Sequence, residues 1–163
     1  MATIQEAPQL AGVHHLKLPV TDLERSIAWY QRTLGYERAI EFVEQGMLMG
    51  VALDHPVGGP QLVLRLDPER ARAAAGFDYF SIGVHDKATI EELAARLDSL
   101  GERHAGVHVA SIGWILPDLH DPDGHEVRFY TTELHSAAPT GGKPLTIEDA
   151  RETSERREAE LRS

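Results

Sequence analysis

The chain contains no cysteine, which excludes disulfides and zinc-thiolate centres and leaves the redox compartment unmarked. Cationic residues are the minority: 16 Lys and Arg stand against 26 Asp and Glu, for a net charge of −10. That balance disfavours binding to nucleic acid or to an anionic membrane surface. No stretch stays apolar long enough to span a bilayer. The segment Met1 to Leu10 carries Glu6 and no apolar run, so no signal peptide is read there and a cytoplasmic protein is expected. Three catalytic signatures are also missing: a glycine-rich phosphate cradle, a serine triad and an activated nucleophile.

What is present is a globular composition, 42% apolar and 26% charged over 163 residues, sufficient for one domain or two small halves. An internal pseudo-repeat organises it. Val13 to Val20 reads as a strand, followed by Thr21-Asp22 and a helix ending at Gly35. Tyr79 to His85 reads as a strand, followed by Asp86 and a helix ending at Gly101. The first helix carries an apolar stripe of Leu23, Ile27, Tyr30 and Leu34, and the second one of Ile90, Leu93, Ala94, Leu97 and Leu100. Thr21 and Glu24 have capping-box spacing, and each terminal glycine supplies a left-handed stop. Strand-like runs follow in both copies: Arg38 to Glu44, Met47 to Asp54 and Gln61 to Leu66, then His108 to Ile112, Trp114 to Leu119 and Glu126 to Thr131. Asp121-Pro122-Asp123-Gly124 reads as a tight turn before the last strand. The order is strand, helix, three strands, twice over.

The expected organisation is an arm over 1–10, a domain over 11–135 with modules at about 11–67 and 77–132, a linker over 136–145, and a charged helix over 146–163. The last segment pairs Glu152 with Arg156 and Glu158 with Arg162 at helical spacing, and reads as a solvated terminal helix or as a docking element for a partner subunit.

The stretch HHLKLPVTDLERSIAWYQRTLGY resembles the first strand and helix of the vicinal-oxygen-chelate superfamily, which includes glyoxalases, bleomycin-resistance proteins and dioxygenases. LHDPDGHEVRFY resembles its closing hairpin, and the likeness covers about residues 11 to 132. The resemblance implies an α+β fold of two tandem βαβββ modules, curled as a mixed-sheet half-barrel around an inter-module pocket, and commonly a homodimer. It leaves the activity open, because one fold hosts lyases, dioxygenases, epimerases, thiol transferases and drug-binding proteins.

In metal-using members of that superfamily, ligands come from the first and last strands of each module. The matching positions here are His15, Val63, Phe80 and Arg128. Valine and phenylalanine have no lone pair to donate, and arginine brings a fixed positive charge. One imidazole does not hold a catalytic metal, which takes about three protein ligands. No cofactor is therefore expected, with a rebuilt metal site from His15 and Glu126 or Asp118 as the alternative. Strand alternation turns His14 to the face opposite His15, so that pair is not expected to chelate. His14, His85, His104, His108, His120 and His125 read as structural or solvated, the last two exposed at the mouth of the Asp121 to Gly124 turn.

Extending the inward face by period-2 alternation gives His15, Lys17, Gln61, Val63 and Arg65 from module one. Module two contributes Phe80, Ile82, Glu126, Arg128 and Tyr130, with Trp114 and Leu116, which share one face of the penultimate strand with Asp118, as further expected ligand contacts. Aromatic and aliphatic walls with a few convergent polar groups make a small-molecule site. Lys17, Arg65 and Arg128 suit an anionic or carbonyl-rich ligand; alternatively, Arg128 pairs with Glu126 and fills space. The expected function is metal-independent binding or sequestration of an aromatic or anionic metabolite or antibiotic. The alternative is a lyase, isomerase or dioxygenase-like enzyme in which His15 and Glu126 handle protons or His15 ligates a metal.

Overall fold

In the computed structural model, residues 8–110 and 112–135 are described. Most of the expected N-terminal arm, the linker over 136–145 and the charged helix over 146–163 lie outside them. The chain divides into two compact units at Ala71/Arg72, and each repeats the same element order.

The first unit runs β1 (His15–Val20), α1 (Leu23–Leu34), β2 (Glu37–Glu44), β3 (Met47–Asp54) and β4 (Gln61–Leu66). Its sheet has the order β1-β4-β3-β2, with β1 parallel to β4 and the other pairs antiparallel. Parallel pairing of β1 with β4 requires a long connection, which α1 and the β2-β3 hairpin supply. Register decides which side chains share a face, because partners across a ladder point the same way. Leu18, Leu64 and Val51 align across the sheet, as do Leu62 and Leu53, and all five are at most 2% exposed. The α1 stripe of Leu23, Ile27 and Tyr30 is buried with them. Each such side chain contributes roughly 1.5–3 kcal/mol through loss of apolar surface to water. The β2-β3 turn places Gln45 at φ 51 and Gly46 at φ 79 between the paired Glu44 and Met47, the left-handed pair that a two-residue hairpin turn demands.

A capping box was expected at Thr21 and Glu24, but the N-cap is Asp22, whose carboxylate accepts from the Arg25 N–H at 3.0 Å. The Thr21 hydroxyl instead accepts from the Arg25 guanidinium, and Glu24 pairs with Arg38. Asp22 wins because its carboxylate reaches the third helical amide while its own backbone is still extended. Gly35 at φ 79 ends the helix as expected.

Helix α2 (Pro68–Ala74) carries the boundary between the units and was not anticipated. Its cues are local: the Asp67 carboxylate accepts from the Arg70 N–H at 3.1 Å, and Pro68 occupies the first turn. Only Ala71 is buried, so no apolar stripe announces it.

The second unit continues with β5 (Ser81–Val84), α3 (Lys87–Ser99), β6 (His108–Val109), β7 (Trp114–His120) and β8 (Glu126–Thr131). Its sheet order, β5-β8-β7-β6, matches the first. Asp86 caps α3 as Asp22 caps α1, accepting from the Thr89 N–H and hydroxyl, both at 2.8 Å. Gly101 at φ 73 follows the last turn of α3, with the Glu102 N–H donating to Leu97 O at 3.0 Å. Strands β5 and β6 are shorter than their sequence runs suggest. Val127, Phe129, Leu116 and Leu119 form one buried row with Ile90 and Leu97 of α3. The Asp121 to Gly124 turn is present: Gly124 N–H donates to Asp121 O at 2.9 Å, and Asp121 Oδ1 accepts from the Asp123 and His125 amides. Among the described residues no helix is long and apolar enough to cross a membrane.

Candidate functional site

In each unit the helix covers one face of the sheet, and the chemistry-bearing residues fall on the other. In the first unit the ladder aligns His15 with Gln61, Lys17 with Val63, and Pro19 with Arg65. It then aligns Val63 with Ala52, Ala52 with Ile40, Arg65 with Gly50, and Gly50 with Phe42. All the expected module-one residues, His15, Lys17, Gln61, Val63 and Arg65, therefore share one face, joined by Ile40, Phe42 and Ala52, which sequence reasoning missed. Ile40 and Phe42 alternate within one run, and only hairpin register shows that they join this face.

The polar groups on this face are largely committed. Arg65 makes a bidentate pair with Glu44, at 2.5 and 3.0 Å. Its hydrogen bonds hold the Glu44 carboxyl below its ordinary range and push the guanidinium up. Lys17 and His15 are exposed. A Cβ on Gly50 would sit 3.0 Å from Leu64 O, 3.5 Å from the Phe42 ring and 3.8 Å from Arg65 Cδ, so the glycine lets both side chains fold over the strand. His14 was expected to point away from His15, yet their Nδ1 atoms lie 3.0 Å apart and their rings meet edge to face at 5.3 Å. His14 precedes β1, so strand alternation does not govern it.

The second unit corrects more of the expected set. Arg128 aligns with Ser81, Tyr130 with Gly83 and Ile115, and Glu126 with His120. Ile82 aligns with Phe129, on the face that α3 covers. Phe80 lies before β5, half-buried, one position from Ser81. The β5 residue that shares the Arg128 face is thus Ser81, one position on from Phe80, and within the strand a slip of one moves a side chain to the other face. Trp114 and Leu116 belong to the covered side as well: they are 6% and 0% exposed, and Lys87 of α3 stands over the Trp114 ring. Asp118 does not share their face. A bulge between Leu116 and Leu119 breaks the alternation, with Asp118 at φ 66, the left-handed region that aspartate tolerates better than most residues. His125, expected at the mouth of the turn, is 1% exposed.

The bulge builds a polar network. It turns the Asp118 N–H onto Glu126 Oε1 at 3.0 Å. Arg128 grips the same carboxylate through Nε at 2.8 Å and a terminal nitrogen at 3.2 Å, and reaches Asp78 at 3.2 Å. Asp118 in turn lies 3.4 Å from Arg103 and 3.6 Å from His120. The Arg128 hydrogen bonds hold the Glu126 carboxyl below its ordinary range, with smaller help from the Asp118 amide and His120. The Arg128 guanidinium is pushed up, first by Glu126, with Asp78 and Tyr130 adding. Asp78 and His120 were not among the expected site residues; nothing in the local sequence of a loop aspartate marks it as the partner of a residue fifty positions away.

A divalent ion held as in metal-using relatives needs about three lone-pair donors. Of the four positions matched from sequence only His15 offers one, the Ser81 hydroxyl that the register puts opposite Arg128 adds at most a second, and the carboxylate nearest Arg128 already accepts from that arginine through both oxygens. Among the described residues no three His, Asp or Glu side chains gather to hold a metal ion. This donor set does not fit the superfamily's usual metal.

Residues 12–129 match the family described as the Glyoxalase/Bleomycin resistance protein/Dioxygenase superfamily. No curated protein matches the sequence. Among solved structures, a glyoxylase/bleomycin resistance protein/dioxygenase domain from Frankia sp. EAN1pec is 24% identical, with 77% of this chain and all (100%) of that one covered at a TM-score of 0.62. TnmS3, an antibiotic binding protein from Streptomyces sp. CB03234, is 17% identical, covering 78% and 100% at 0.64. A lactoylglutathione lyase from Agrobacterium tumefaciens is 20% identical, covering 77% and 96% at 0.60. At such identities these likenesses speak for the fold. With two βαβββ units and a family match over most of its length, the chain belongs to the glyoxalase/bleomycin resistance protein/dioxygenase superfamily.

Proposed function

We propose that this protein binds an aromatic small molecule without the help of a divalent metal, as a sequestering rather than a catalytic member of its superfamily. One observation carries the reading: Arg128 stands at the closing-strand ligand position and is neutralised by Glu126 and Asp78. A fixed guanidinium there opposes a dication, and its own partners leave little charge for an anion. Arg65 is likewise satisfied by Glu44. The anionic ligand considered from sequence therefore loses two of its three cations, and the aromatic one gains from Ile40, Phe42 and Val63 on the face that carries His15. That TnmS3 is an antibiotic binding protein supports a binding rather than a catalytic role. Proton transfer by Glu126 is disfavoured, because Arg128 keeps its carboxylate ionised and occupied. A cytoplasmic homodimer is part of the proposal.

The test is a thermal-shift screen of aromatic antibiotics and aromatic metabolites, run with and without chelator, beside elemental analysis of protein purified without chelator. A ligand that raises Tm equally in both conditions, with no stoichiometric divalent metal, is the expected result. Stoichiometric metal, or a shift abolished by chelator, overturns the metal-free reading; no shift with any aromatic compound overturns the ligand class. Light scattering that returns the monomer mass removes the dimer.

A further inference from the structure

The segment leaving β8 is tied back onto the second unit. Thr132 N–H donates to Val84 O at 2.7 Å, Glu133 N–H to His85 O at 2.9 Å, and His135 N–H to Ile112 O at 3.2 Å. The Glu133 carboxylate accepts from the Lys87 N–H, at 2.9 Å. His135 in this segment is a histidine 4% exposed, whose Nε2 lies 2.7 Å from Ala110 O.

A carbonyl oxygen only accepts, so Nε2 carries the proton, and in the neutral ring Nδ1 is left as an acceptor. His55 and His104 show how this chain satisfies such a ring. Their Nε2 atoms meet Leu34 O and the Asp98 carboxylate, and their Nδ1 atoms accept the Val57 and Gly106 amides. His135 Nδ1 is buried and has no counterpart to those amides among the described residues. Beside it, edge to face at 5.8 Å, is the ring of Trp114, 6% exposed. Its indole Nε1–H is a donor only, and it too is buried with no partner among the described residues. An orphaned donor and an orphaned acceptor thus occupy neighbouring rings. Buried polar atoms left unmade are costly, and a site with complementary polar partners is the kind a buried water fills.

We propose that one buried water accepts from Trp114 Nε1–H and donates to His135 Nδ1, fastening the segment after β8 to β7. The water thereby completes a latch whose other members are the Glu133–Lys87 contact and the backbone bonds to Val84, His85 and Ile112. It lies on the side of the second unit's sheet that α3 covers and uses none of the residues proposed to bind ligand, so its test is independent of that reading.

Nuclear magnetic resonance on the intact wild-type protein decides it. The indole proton of Trp114, assigned by its loss in Trp114→Phe, should show a cross-relaxation peak to a long-lived water. The His135 Nδ1 nitrogen should have the shift of a neutral, accepting atom. In Trp114→Phe, amide exchange at Glu133 and His135 should quicken by roughly tenfold as the latch loosens. A scalar coupling between Trp114 Nε1 and His135 Nδ1 would mean the two bond directly and would overturn the water. So would an indole proton whose only close contacts are protein protons, or one with no hydrogen-bonded partner at all.

Discussion

Glu126→Gln is the sharpest perturbation of the network at the β7 bulge. The amide is nearly isosteric and keeps an oxygen for the Asp118 N–H, which now lies 3.0 Å from Glu126 Oε1. What it removes is the charge and one arm of the bidentate grip on Arg128, whose two contacts measure 2.8 and 3.2 Å. Breaking a fully buried ion pair costs about 3–5 kcal/mol. Two features lower that figure here: the Arg128 side chain is 32% exposed, and Asp78 remains as a second carboxylate at 3.2 Å. A loss of about 1–2 kcal/mol is expected at pH 7, the worth of a charged hydrogen bond discounted for solvent. The sign with pH follows from the carboxyl's direction. Folded Glu126 titrates below its unfolded value, so its contribution is fully present above the ordinary glutamate range of about 4.3 and is lost as pH falls through the lower folded value. Urea denaturation of wild type and Glu126→Gln at pH 7 and near pH 2.5 is the assay. The gap between them should close at the acid end. Equal stability at pH 7, or a gap unchanged in acid, refutes the reasoning.

Other expectations follow from local geometry. Gly113→Ala should cost about 1–3 kcal/mol through overpacking, since a Cβ there would meet Thr131 Oγ1 at 2.6 Å and Glu133 O at 2.8 Å. Gly83→Ala, whose Cβ would find only the Thr132 methyl at 3.7 Å, should leave the denaturation midpoint unchanged. Asp22→Ala and Asp86→Ala should each lower stability by about 1 kcal/mol, because each removes the cap of a helix, measured by the same denaturation curves. If Thr21 and Glu24 formed the cap instead, Asp22→Ala would be nearly silent while Thr21→Ala would not. Arg128→Met should destabilise chiefly by stranding Glu126 and Asp78 near each other, and Glu126→Gln in the same chain should recover part of the loss, a coupling that a double-mutant cycle measures.

Legibility differed between the two modules for a definite reason. In the first, His15, Lys17, Val63 and Arg65 fell on one face as expected, because β1 and β4 are regular and their pairing has no interruption. In the second, the strand before Asp86 is only four residues long, Ser81–Val84, so a one-residue error went uncorrected: it put Ile82 on the wrong face and counted Phe80, which precedes the strand, as part of it. A bulge at Pro117-Asp118 then separated Asp118 from Trp114 and Leu116. No period-2 pattern encodes an inserted residue.

The sequence by itself determined the repeated strand-helix-strand order, the aspartates that open α1 and α3, the closing turn and the lack of a lone-pair donor at Val63 and Arg128. Those features are local: caps, turns and apolar periods act over a few residues, and a residue type without a lone pair lacks one in any fold. Only the tertiary structure decided which side chains share a face and which charges cancel. Whether Arg128 is free to hold an anion depends on Asp78 and Glu126 arriving beside it, and whether Trp114 lines a face or lies beneath α3 depends on register across β7 and β8. Both are matters of long-range pairing, where a single-residue shift reverses the answer.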